Sequence, residues 1–544
     1  MRDAAIALPA VPPETARAGA GAAWHGRLGR LGAILLADLR QRTRSTRFRV
    51  TLALAALAAW WCFPPLEASY MIVAIGDHFR GRYSSAWIGM VLAMTTTLWS
   101  LIGFYVVRGT VQRDFETRVW QLLGTTSMTR AGYLLAKWAS HVLVLGSILG
   151  TTMVVGLAAQ WVRAEDRHLD LWELVKPCLF IALPVLALVA TFAIWFDLVP
   201  RLRHTAGGVL FFFVWMTLLT AGAADYDRNH RPHRAPIAPA WTSDLPGIGL
   251  MQRAVDRQVM PQFPGIAIGE GVCIGCGSVD HPPRRFSWPR WEVAPAMLWG
   301  RVLWFALALG GVLLAVPVLD RLAARTIAPP VDTRGTGREP RKLRWLRTLL
   351  RPLQGSAFGT LVAAEAFVVL RMRAAWWWAA WLAAWIAQLF APAHGAALAV
   401  LAAWTLLLDV FSRAGLRERE HGTAALVMTA PGADRRLLRA RIALAVGLGW
   451  VAALPALATH PAIAPLALAI GAALALCGLA SGAATLSRRP FELVFLVLAY
   501  ATTQGLPWLD ASTHAAGVLS AHACTIAIGL VVLRWRWGPA LRKA

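Results

Sequence analysis

The sequence predicts an all-α polytopic membrane protein: two parallel six-helix transmembrane halves, charged helices in the cytoplasmic loops, and one larger extracytoplasmic loop. Three observations predict it. The 544 residues are 57% hydrophobic and only 15% charged, far from the balance of a soluble domain. Apolar runs of a length that approaches or reaches a bilayer span recur from end to end. The basic residues fall on alternate sides of those runs.

The runs lie near 50–66, 86–107, 142–159, 178–196, 206–224, 302–319, 374–393, 395–411, 442–459, 462–486, 493–508 and 515–533, with those at 50–66, 395–411 and 493–508 the shortest. Arg and Pro interrupt the first 49 residues before any apolar signal-peptide core forms. With the N-terminus placed in the cytoplasm, 40 of the 54 Lys and Arg fall on the cytoplasmic side and 13 on the other, eight of these in one long loop, with Arg301 at a membrane edge. That asymmetry places both termini in the cytoplasm and the spans in the cytoplasmic membrane. The net charge of +25 therefore reads as a topology signal with some attraction to anionic membrane lipids. No basic-aromatic module accompanies it, so no nucleic-acid partner is expected.

The expected organisation is a cytoplasmic segment with an amphipathic helix (1–49), a first six-span half (50–320) and a cytoplasmic linker with a second amphipathic helix (321–373). A second half (374–534) and a cytoplasmic tail (535–544) follow. Each half begins after a Leu-Arg-x-Arg run, Leu39-Arg40-Gln41-Arg42 and Leu370-Arg371-Met372-Arg373. Between its fifth and sixth spans the first half inserts the polar loop 225–294, where the second has only a few residues. Six spans per half insert both halves the same way up.

A sharper repeat follows the second span of each half. RDFETRVWQLLGTTSMTRAGYLLAK (113–137) and REREHGTAALVMTAPGADRRLLRAR (417–441) align at an offset of 304: Arg113 with Arg417, Glu116 with Glu420, Leu122 with Leu426, Thr125 with Thr429, Leu134 with Leu438 and Ala136 with Ala440. Asp114/Glu418 and Lys137/Arg441 keep their charge. In each, a short helix ends at a break, Thr126-Ser127 or Pro431-Gly432, and Thr129 or Asp434 is expected to cap the next helix.

Glu420-His421-Gly422-Thr423, followed by Leu426, Thr429 and Pro431, resembles the E-x-G-T…L-x-x-T-x-P signature of ABC-2 type exporter permeases. The resemblance implies a transport subunit, not an enzyme by itself, whose loops between spans two and three are coupling helices docked on a cytosolic ABC ATPase subunit. It implies two copies of that ATPase per chain, with ATP and Mg bound there. Arg113, Asp114, Glu116, Arg417, Glu418, Glu420, Gly422, Thr423 and Pro431 are the residues it assigns to ATPase coupling. The chain departs from the signature at Ala425, where the family has Glu, and the first-half copy lacks Gly-Thr and has Gln121 at that Glu position.

No Gly-Lys dipeptide occurs beside any of the four lysines, so the chain carries no phosphate-binding P-loop. Cys62, Cys178, Cys477 and Cys524 sit in apolar runs and read as packing residues. Cys273 and Cys276, in the long loop, read first as a local disulfide, with thiols or a metal site (His230, His233, His281) as alternatives; no metal is assigned. Asp197, Asp409 and Glu492 read as interface ion pairs rather than a proton path. Trp376, Trp377, Trp378, Trp381 and Trp385 read as an interface belt or, less simply, a stacking surface. Two other functions fit parts of the pattern. A secondary transporter shares the six-plus-six layout, and a membrane enzyme would need a polar cluster such as Asp225, Asp227, His230 and His233.

Overall fold

The structure, a computed structural model, describes residues 20–542 except 67, 69, 76–78, 118–128, 204, 231–243, 264–271, 275–283, 294, 328–343, 372, 428, 504, 514 and 515. Helices dominate because long runs of Ala, Leu and Val have few breakers and must satisfy every backbone polar group internally in lipid. Among the described residues eight helical stretches are long and apolar enough to cross a membrane, and Phe48–Trp61, Thr205–Thr220 and Ala357–Leu370 are shorter apolar helices. This is a helical, membrane-embedded protein. Each of the twelve apolar runs of the sequence lies largely on a helix.

The chain divides into two compact units, 1–203 with 213–329, and 204–212 with 330–544. In the first, α1 (Ala20–Thr43) and α2 (Thr46–Trp61) precede two short strands, β1 (Val73–Ile75) and β2 (Phe79–Gly81). Then come α3 (Ser85–Val107), α4 (Thr110–Glu116) and the 34-residue α5 (Arg130–Arg163). Helix α6 (Leu171–Pro177) passes through a π-helical turn, Cys178–Ala182, into α7 (Leu183–Leu198). Pro177 and Pro184 flank that turn, and the ring of Pro184 removes an N–H from the helical ladder. Helix α8 (Thr205–His230), which belongs to the first unit from Phe213 onward, leads to α9 (Ile248–Gln258), β3 (Val272–Ile274), β4 (Arg284–Phe286), α10 (Pro295–Leu314) and α11 (Val316–Ile327). The core gathers Tyr133, Leu134 and Trp138 of α5, Ala187, Ala190, Ile194 and Leu198 of α7, and Ala308 and Val312 of α10.

The small sheet was not expected from a reading of the chain as all-α. Its order is β3-β1-β2-β4, with β1 antiparallel to β2 and β3 and β2 parallel to β4. Phe286 and Trp288 pack edge-on or tilted against Trp87, and Ser84 Oγ donates to the Trp288 carbonyl. Arg80 holds Glu165 with two nitrogens at 2.6 and 3.0 Å. Cys273 lies in β3, while Cys276 lies outside the described residues, as do His233 and His281.

The second unit contains α12 (Arg344–Leu350), α13 (Ala357–Leu370), α14 (Ala375–Phe390), α15 (Ala393–Arg413), α16 (Arg417–His421) and α17 (Ala424–Val427). Helices α18 (Ala433–Thr459), α19 (Ala464–Thr485), α20 (Arg489–Thr503) and α21 (Ala516–Arg542) complete it. Small residues let these helices approach: a Cβ on Gly478 would lie 2.8 Å from the Phe411 carbonyl oxygen. The tryptophan group of α14 is packed on itself, with Trp377–Trp378 and Trp377–Trp381 centroids each 5.0 Å apart and Trp377 Nε1 donating to the Leu406 carbonyl.

Candidate functional site

The loop 414–432 is built by local rules. Helix α16 is one turn long and ends at Gly422, whose φ of +63° places it in the left-handed region. There Thr423 N–H returns to the Glu418 carbonyl at 2.9 Å and Gly422 N–H to that of Arg419 at 3.3 Å, the closing pattern of a glycine-capped helix. This gives Gly422 and Thr423 a structural reason. Gly432, at φ +65°, precedes α18 and is its N-cap without a side-chain bond. The expected cap, Asp434, lies two residues past the cap position, within the first turn. Thr129 does cap α5, accepting from Gly132 N–H at 3.1 Å.

The charges of this loop point two ways. Glu418 is buried, and Arg441 of α18 grips its carboxylate through both terminal nitrogens, one at 2.8 Å. Arg441 also reaches Glu365 of α13 at 3.3 Å and the Ala414 carbonyl at 2.8 Å, while Arg417 pairs with Glu365. Arg417 and Glu418 thus make ion pairs inside the unit. Arg419, Glu420, His421, Thr423, Leu426 and Pro431 lie on the outside, Leu426 being 73% exposed. Arg488 comes within 4.0 Å of Glu420.

The first unit has a counterpart. Asp114 of α4 is buried and meets Lys137 of α5 at 2.9 Å and the Tyr133 hydroxyl at 2.8 Å. Lys137 also reaches Asp38 of α1 at 3.3 Å, and Arg113 lies 3.7 Å from the same carboxylate. Arg42 and Ser140 complete the shell of Asp38. Glu116 ends α4, and the remainder of that loop, 118–128, lies outside the described residues. Sequence reading found the paired charges of Asp114/Glu418 and Lys137/Arg441. It missed Asp38 and Glu365, which share no offset with the repeat.

Burial opposes the charge on Asp38, yet Lys137 and then Arg42 outweigh it and hold this carboxyl well below the usual carboxylate range. Burial likewise opposes the charge on Glu418, and the hydrogen bonds and charge of Arg441 lower its pKa. Both stay ionised at neutral pH, as buried ion pairs require.

The other acids divide. Asp409 is paired with Arg373 at 2.9 Å and Arg413 at 2.7 Å, as expected. Asp197 accepts the Gly109 and Val111 N–H groups at 2.8 and 3.2 Å, which fixes the start of α4. Hydroxyls of Thr205 and Ser412 meet Glu492 at 2.5 and 3.2 Å. Among the described residues no cluster of three His, Cys, Asp or Glu could hold a metal. Comparisons with protein-family models, curated proteins and solved structures find no match to this chain.

Proposed function

We propose that this chain is the transmembrane permease subunit of an ABC-2 type exporter, two six-span halves fused in one polypeptide and driven by a separate cytosolic ATPase that binds ATP and Mg. The observation that carries the reading is the loop 414–432. It joins two apolar helices, α15 and α18, and fixes its inner charges to α13 and α18. Outward it presents Arg419, Glu420, His421 and the exposed apolar side chain of Leu426. A short helix tied to two spans can pass a rigid-body push from a cytosolic partner into both. The loop at 109–117 would be its counterpart, giving two ATPase copies per chain.

Glu420→Arg is expected to weaken pull-down of the ATPase that copurifies with the wild-type chain by about 10-fold or more, as a charged contact worth roughly 1–3 kcal/mol would. It should lower ATP hydrolysis in parallel and leave membrane insertion intact. Glu116→Arg should do less, because the first loop lacks Gly-Thr. Wild-type binding and hydrolysis in Glu420→Arg would show that the loop serves topology alone.

The orientation is open to a direct check. A cysteine replacing Asn229 should react with an impermeant maleimide in intact cells, and one replacing Gly335 should not. The opposite pattern overturns the placement of both termini in the cytoplasm.

A further inference from the structure

We infer that the chain carries the same three-helix ion-pair clamp built twice, with Lys137 and Arg441 as the positioning residues that lock each loop to the helix after it and to an earlier helix, α1 or α13. Three of its members recur at one sequence offset: Arg113/Arg417, Asp114/Glu418 and Lys137/Arg441. The fourth, an acid from a preceding helix, does not. Asp38 lies 99 residues before Lys137 and Glu365 lies 76 before Arg441, so only the folded chain brings the sets together.

In each unit one buried cation bridges two acids. Lys137 joins Asp114 of the loop helix to Asp38 of α1. Arg441 joins Glu418 of the loop helix to Glu365 of α13. In each, the Arg just before the loop acid turns back to the acid of the preceding helix. Lys137, Arg441, Asp38, Asp114 and Glu418 are all under 9% exposed, so water cannot replace a lost partner. Moving the loop alone would strip the buried loop acid of its cation and leave that cation with one of its two acids, a strongly unfavourable change for buried charges. The loop, the helix after it and the earlier helix that supplies the second acid, α1 or α13, therefore move together.

The chemistry differs in one respect. Arg441 uses its planar fork on Glu418 and a third nitrogen on Glu365, whereas Lys137 is a point charge whose acids borrow donors from Tyr133, Ser140 and Arg42. The clamp stands without the transport reading; its use in transmitting force rests on it.

The test is amide hydrogen exchange on the purified full chain in lipid nanodiscs. Arg441→Met should speed exchange across 414–427 by about 10-fold or more and leave 109–117 as in the wild type, and Lys137→Met should do the reverse, as separately opening local units would. Arg441→Lys and Lys137→Arg should each restore much of the protection, a rescue that mere side-chain volume does not predict. Should a Met variant fail to fold, Glu365→Gln and Asp38→Asn carry the same comparison. Unchanged exchange in the loops, or equal loosening of both loops by either variant, overturns the clamp. Loss of the Glu420→Arg effect on the ATPase would sink the transport reading and leave this result standing.

Discussion

Glu173→Leu is expected to destabilise the first unit by about 3–5 kcal/mol, the usual result of removing one partner from a buried ion pair. Glu173 takes Lys176 Nζ at 2.6 Å on one oxygen and Trp291 N–H at 2.9 Å on the other, and Lys176 closes the ring on the Trp291 carbonyl at 2.7 Å. Arg290 approaches the same carboxylate at 3.7 Å. With Leu at 173 the Lys176 ammonium keeps one carbonyl and no counter-charge in a place water does not reach. The double variant Glu173→Leu/Lys176→Met should recover most of the loss, since neither charge then remains to be compensated. Thermal unfolding in detergent, followed by size-exclusion chromatography with fluorescence detection, reads both outcomes. A double variant as weak as the single would mean that the pair also fixes a geometry that apolar side chains cannot.

Gly89→Ala is expected to be the next most damaging change, at about 1–3 kcal/mol, the range for overpacking a filled core. A Cβ at position 89 would sit 2.4 Å from the carbonyl oxygen of Leu174. Both atoms belong to backbone or its first branch, so α3 and α6 must separate to admit it. Gly146→Ala is the control, because nothing lies within 4 Å of its added Cβ. There the gain in helix propensity should show, worth up to about 1 kcal/mol. Melting temperatures that fall for position 89 and hold or rise for position 146 are the expected pair.

These two sites mark where sequence reasoning stops. Apolar length is a local property, so each of the twelve runs could be assigned to a helix without knowing its neighbours. Which glycine meets a backbone is not local, and nothing around Gly89 distinguishes it from Gly146. The strands of β1 to β4 are three residues each, too short for an alternating pattern to register. The loop shows the same divide more sharply. The chain advertises Asp114/Glu418 and Lys137/Arg441 through a spacing repeated in its two halves, but not that these charges face inward. Glu418 and Glu420 are two residues apart on one turn, and only burial tells the first from the second. Asp38 and Glu365 carry no repeat signal at all, because the helices that bear them join the loops only in three dimensions.

The order of strands in the small sheet has a consequence for biogenesis. Its two central strands are made first, at 73–81, and both flanking strands come from 272–286. At about 5–20 residues per second, roughly 10–40 s of synthesis separate the two pairs. Throughout that interval β1 and β2 expose edges that another chain could pair with. A truncated product ending before residue 272 would keep those edges for good, and partial chains would be the aggregating species of this protein.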